Sequence, residues 1–124
     1  MNTAAAVGVV AFGTGVGASA RYVTDRYMTA KFDHSFPWPT LFVNVVGSFI
    51  LGVVVAIVVR HGASTTLQVA IGTGFCGGLT TFSTFSFESL RLVTTQSSVR
   101  SALYIAASVG LGLSAAALGL TLGS

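Results

Sequence analysis

Hydrophobic residues fall in four long stretches, about 4–28, 40–59, 67–92 and 101–122, and most of the charges lie in or near the short segments between them. A helix crosses a hydrocarbon core of about 30 Å in about 20 residues. The pattern therefore predicts an all-α membrane protein of four transmembrane helices, one domain over residues 1–124, with almost nothing left over for a soluble part. Polar and small positions recur at helical spacing inside the stretches. Thr40, Asn44 and Ser48 stand four apart, on one face of the second helix. Tyr104 and Ser108 share a face of the fourth. Small residues also repeat at four: Gly13 with Gly17, Ala106 with Gly110 and Ser114, and Ala115 with Gly119 and Gly123. Such faces let helices pack closely in lipid.

The third stretch breaks its own pattern. Residues 72–88 gather glycines and hydroxyls in the middle of an apolar run, with Gly77-Gly78 followed by Thr80, Thr81, Ser83, Thr84 and Ser86, and with Phe82 and Phe85 between them. Two adjacent glycines make a poor helix interior. Irregular backbone at membrane depth is tolerated only where it faces protein or a wet cavity. The third helix is thus expected to be broken near its middle and to line an ion path. The plainer reading is a kinked spanning helix whose hydroxyls bond back to their own turns.

Composition narrows the functions available. The 124 residues are 52% hydrophobic and only 7% charged, against about 25% charged in soluble domains. The net charge of +3 comes from scattered basic residues, with no basic patch to hold nucleic acid. Cys76 stands alone, so no internal disulfide forms. No metal-ligand cluster, carboxylate pair, phosphate loop or nucleophile elbow occurs, and an enzyme is not expected. His34 reads as a solvated loop residue, and Trp38, between Pro37 and Pro39, suits a membrane interface.

Three polar residues at membrane depth ask for partners. Asn44 must face protein or an aqueous path, as glue between helices or as a lining residue. Arg21, near the end of the first helix, either snorkels to the interface or forms a positive vestibule that concentrates anions. Glu88 either pairs with a basic residue such as Arg21 or touches water in the path.

Residues 74–88, Gly-Phe-Cys-Gly-Gly-Leu-Thr-Thr-Phe-Ser-Thr-Phe-Ser-x-Glu, carry a resemblance when taken with Asn-Val-Val-Gly-Ser-Phe at 44–49 and Gly-Ala-x-x-Arg at 17–21. The chain resembles the Fluc (CrcB) fluoride channels over all four spans. The resemblance implies antiparallel, dual-topology dimers with two pores, each built by both subunits. Phe82 and Phe85 match the paired phenylalanines whose ring edges face the anion, and Asn44 matches the pore asparagine. Ser83, Thr84 and Glu88 match a polar set beside the pore, while Thr40, Tyr104 and Ser108 match a polar track. The backbone carbonyls of Gly77 and Thr80 match the site of a structural sodium ion at the dimer centre. Where a further hydroxyl would extend the track from Ser108, this chain has Gly112.

The implied activity is passive efflux of fluoride across the plasma (inner) membrane, protecting the cell from its toxicity. Fluoride is small and strongly hydrated, so a path must replace its water with donors such as an Asn amide and Ser, Thr and Tyr hydroxyls. A phenyl ring has a positive edge and approaches an anion with no fixed charge to trap it. Two other classes stay open. A four-span multidrug-type cation exporter would need a membrane carboxylate in a drug pocket, and a non-conducting assembly subunit would need neither a broken helix nor a Phe pair. Arg26, Lys31, Arg91 and Arg100 lie in or near the first and third loops, against Arg60 on the other side. That is a lean of a few charges towards both termini outside by the positive-inside rule, whereas the dual-topology homodimer, the reading favoured here, shows little bias. The alternative to a second copy is an oppositely oriented paralogue.

Overall fold

Each helix starts and stops on a recognisable local signal. In the computed structural model, which describes residues 2–31, 36–62, 64, 66, 68–80 and 82–123 (the side chains of Phe82 and Ser83 excepted), α1 covers Thr3–Lys31. Its first turn is capped by Asn2, whose Oδ1 accepts the Ala5 amide at 2.7 Å. Helix α2 (Trp38–His61) has Pro37 and Pro39 at its start and ends at Gly62, whose φ of 68° is the left-handed stop. Helix α5 (Ser98–Leu122) is capped by the Ser97 hydroxyl, which accepts the Arg100 amide at 3.1 Å. Its Ala- and Leu-rich interior suits the helix. His34 lies outside the described residues.

The third span is interrupted near its middle. Helix α3 occupies residues 68–79, π-helical over Gln68–Cys76 and closed by a single α turn, Gly77–Leu79. Gly77 and Gly78 are thus helical, and the interruption falls just after them. Thr80 is extended (φ −91°, ψ 154°), and its amide and hydroxyl both donate to the Cys76 carbonyl, at 2.9 and 2.8 Å. The hydroxyl supplies a second donor at the helix end, which a glycine could not. Helix α4 (Phe82–Thr95) resumes beyond it. Three helices, α1, α2 and α5, are long and apolar enough to cross a membrane unaided; the remaining span is shared between α3 and α4. Among the described residues there is no strand.

Glycines set how the helices pair. A Cβ on Gly13 would meet Ala70 and Gly74, one on Gly17 would strike the backbone of Phe75 and Leu79, and one on Gly78 would strike that of Thr14. Both series rise together, so α1 and α3 run parallel with backbones in contact. Helices α2 and α5 do the same, Gly52 against Ala116 and Gly119 against Phe49 and Val53. Gly47 faces Thr80 and Gly72 faces Leu51, a falling register that makes α2 antiparallel to α3. The Ala106–Gly110–Ser114 face meets no other helix of its own chain at Gly110, where a Cβ finds nothing within 4 Å.

Leu41, Leu92 and Tyr104 form a buried cluster, with Phe36, Val45, Phe85 and Ala107 around it. It ties α2, α4 and α5 together at the end where the first and third loops lie. The Ser101 hydroxyl adds a cross-link, donating to the Ser89 carbonyl at 2.8 Å. Large apolar side chains are turned outwards elsewhere, Phe12 being 76% and Val59 75% exposed. Such a surface aggregates in water and matches the hydrocarbon of a bilayer.

Candidate ion pathway

Polar side chains converge on two adjoining places beside α2. The first is a cleft of about 170 Å³, lined by Arg21 and Asp25 of α1, Thr40 of α2, and Thr84 and Glu88 of α4. Thr40 is buried and its hydroxyl donates to Glu88 Oε1 at 2.6 Å. The other carboxylate oxygen, Oε2, lies 3.7 Å from Arg91 Nη2, one turn along α4. The sequence offers Glu88 either a basic partner such as Arg21 or water in the path, and the structure gives it the basic residue Arg91. Arg21 Nε instead donates, over a long 3.4 Å, to the Gly78 carbonyl, so its stem follows α1 onto the last turn of α3. The i, i+3 spacing of Glu88 and Arg91 is the signal that identifies the true pair. Asp25, four residues after Arg21, enters the cleft without having been singled out by any motif.

The second place lies deeper. Asn44 Oδ1, the Tyr104 hydroxyl and the Ser108 hydroxyl are all buried, and none has a hydrogen-bond partner among the described residues. Tyr104 is fully buried between Phe36, met edge-on at 5.6 Å, and Phe85, tilted by 40° at 5.3 Å. Thr40 is beside it, and its hydroxyl gives its proton to Glu88 while its lone pairs stay open to the Tyr104 hydroxyl. An unsatisfied buried polar group costs about 1–3 kcal/mol. Three together are comparable to the whole stability of a small domain, about 5–15 kcal/mol. Water, an ion or a second subunit can complete them. A half-turn of the Asn44 amide exchanges its acceptor for two donors with no other movement.

The remaining sequence candidates are placed as follows. Thr84 borders the cleft, and Phe85 adjoins the deeper group through Tyr104. Phe82 and Ser83 belong to the first turn of α4, with their side chains outside the described residues. Gly77 is exposed, with open space where a Cβ would stand, while a Cβ on Gly47 would meet the Thr80 methyl. No group of three His, Cys, Asp or Glu side chains that could hold a metal ion occurs among the described residues.

A helical, lipid-facing shell around buried polar groups is the build of a small multi-pass membrane protein. The chain belongs to the CrcB-like family (Camphor Resistance, CrcB), whose family model matches residues 8–120. It is 45% identical over 111 residues to the fluoride-specific ion channel FluC 1 of Streptomyces avermitilis, covering 90% of each chain. With FluC 2 of Rhodococcus jostii it shares 46% identity over 118 residues, 94% of this chain and 96% of that one. The FluC of Roseiflexus sp. is 42% identical over 111 residues.

Proposed function

We propose that this protein is a fluoride-selective ion channel through which fluoride leaves the cytoplasm down its electrochemical gradient. It is a channel and not an enzyme, and its relatives are named as fluoride-specific channels over nearly their whole length. The observation that carries the reading is the buried, uncompleted set of Asn44, Tyr104 and Ser108. These are neutral groups that hydrogen-bond an anion without trapping it, as conduction requires. The weak acid crosses the bilayer as neutral HF and dissociates in the less acidic cytoplasm. An inside-negative potential, worth about 2.3 kcal/mol per charge per 100 mV, then drives the anion out.

In this reading Arg21 draws anions to the cleft, Thr40, Ser83, Thr84 and Glu88 border the path, and Phe82 and Phe85 offer ring edges to the ion. The working unit is an antiparallel dimer with a second copy. Support comes from Gly15, Gly77 and Gly110, where an added Cβ would meet nothing in their own chain. A sodium ion at the dimer centre would be held by the Gly77 and Thr80 carbonyls of both subunits. A helix end presents carbonyls without intrahelical partners, and the α3 turn ending at Thr80 has that character. When bound, the ion supplies a fixed positive charge that joins the subunits. Purified protein in liposomes should release fluoride and retain chloride, and a cationic dye gradient should stay unchanged. Dye exchange without fluoride release would give the chain to the exporter class, and neither flux to an assembly subunit.

A further inference from the structure

We propose that Ser48 supplies the next hydroxyl of the anion path beyond Ser108, taking the place of a side chain that α5 lacks. The inference rests on the channel reading above. Tyr104 and Ser108 stand one turn apart on α5, and the next position on that face is Gly112, which carries no side chain. The backbone amides of a helix interior are already bonded four residues back, so Gly112 itself offers an anion nothing. Helix α2 fills the gap. Ser48 Oγ lies 3.5 Å from the point a Gly112 Cβ would occupy, and Ser48 is one turn beyond Asn44 on the same face of α2. Because α2 and α5 run parallel, Asn44 to Ser48 and Ser108 to Gly112 advance in the same direction along the molecule. Ser48 is half-buried, so its hydroxyl, which rotates freely to donate, is reachable by an ion arriving past Ser108. The track changes helix there and continues.

Threonine and valine have nearly the same shape, so Ser48→Thr and Ser48→Val separate the hydroxyl from the volume. Fluoride efflux from liposomes should stay within about threefold of the parent for Ser48→Thr and fall about tenfold or more for Ser48→Val, the scale of one lost donor at about 1.4 kcal/mol per factor of ten. A second arm moves the hydroxyl across. Ser48→Ala should be slow, and Ser48→Ala with Gly112→Ser should regain most of the lost rate, since a Cβ at 112 meets only ordinary contact. Elution of each variant at the parent position shows that it is assembled. If Ser48→Val or Ser48→Ala, so assembled, conducts like the parent, or the double variant stays as slow as Ser48→Ala, Ser48 is not on the path and the channel reading stands. If the parent itself releases no fluoride, the channel reading fails and takes the inference with it.

Discussion

At the scale of single residues, the two phenylalanines separate a pore from a packed core most sharply. Phe82 and Phe85 are three apart on α4, neighbours on one helix face, and the Phe85 ring is already in contact with Tyr104. If they were packing alone, isoleucine would lose some contact area and leave transport intact. As pore residues they present a positive ring edge that isoleucine lacks. Phe82→Ile and Phe85→Ile should each slow fluoride efflux at least about tenfold, one lost interaction of about 1.4 kcal/mol, with unchanged elution in detergent. Phe→Met should do less harm, because the thioether is polarizable and flexible. Asn44→Asp, which puts a negative charge among the uncompleted groups, should also suppress flux. The same charge logic applies at the cleft. Without Arg91, Arg21 faces both Asp25 and Glu88 and the cleft becomes net negative. Arg91→Gln should therefore slow fluoride efflux, less so at high ionic strength where the charge is screened, and Arg91→Lys should keep most of the rate. A salt-independent loss would assign Arg91 to packing.

Among the helices, glycine decides which faces touch. Gly17 and Gly78 lie where any Cβ would run into the backbone of the neighbouring helix, and backbone cannot turn aside as a side chain can. Overpacking a filled site costs about 1–3 kcal/mol, and a rigid partner puts these at the upper end. Gly17→Val or Gly78→Leu should abolish a monodisperse elution peak, whereas Gly110→Ala, with open space around it, should leave the subunit fold intact. The break answers to a different group. Thr80 holds the Cys76 carbonyl through its hydroxyl, so Thr80→Ser should be mild and Thr80→Val should lower both stability and flux. Equal melting temperatures for the two variants would show that the hydroxyl does not hold the turn.

For the whole molecule, the open questions are the partner and the cation. Contacts between α2 and α4 and between α4 and α5 bring Thr40 to Glu88 and Ser101 to Ser89. The first and third loops, with the basic residues near them, therefore belong to one end of the bundle. In a dual-topology dimer a C-terminal tag should be labelled from both sides of the membrane. Labelling from one side only would require an oppositely oriented paralogue. Replacing sodium on both sides with a large organic cation should reduce fluoride efflux, and unchanged efflux after exhaustive exchange would dismiss the sodium site.

Much of this was legible along the chain, and the remainder had a common reason to be hidden. Apolar runs report the solvent each segment meets, so the helical spans, the lipid-facing surface and the awkward depth of Asn44 could be read locally. The stretch around residues 74–88 was enough to recognise the family. Propensity also pointed to an interruption near the middle of the third span, and the structure has it at Thr80, directly after the turn that holds Gly77 and Gly78. The π-helical register of Gln68–Cys76 left no trace in the hydrophobic pattern, whose period is too coarse to distinguish one helical pitch from another. Small residues at four-residue spacing looked alike at Gly13, Gly110 and Gly119. Only the rotation of each helix against its neighbours determined that Gly13 and Gly119 are covered while Gly110 is open. The same holds for charge and hydroxyl partners. Sequence alone established which polar groups lie at membrane depth. That Glu88 turns to Thr40 and Arg91, and that Ser48 stands opposite Gly112, was decided by the tertiary structure, since side chains far apart in sequence meet only through the relative rise and rotation of whole helices.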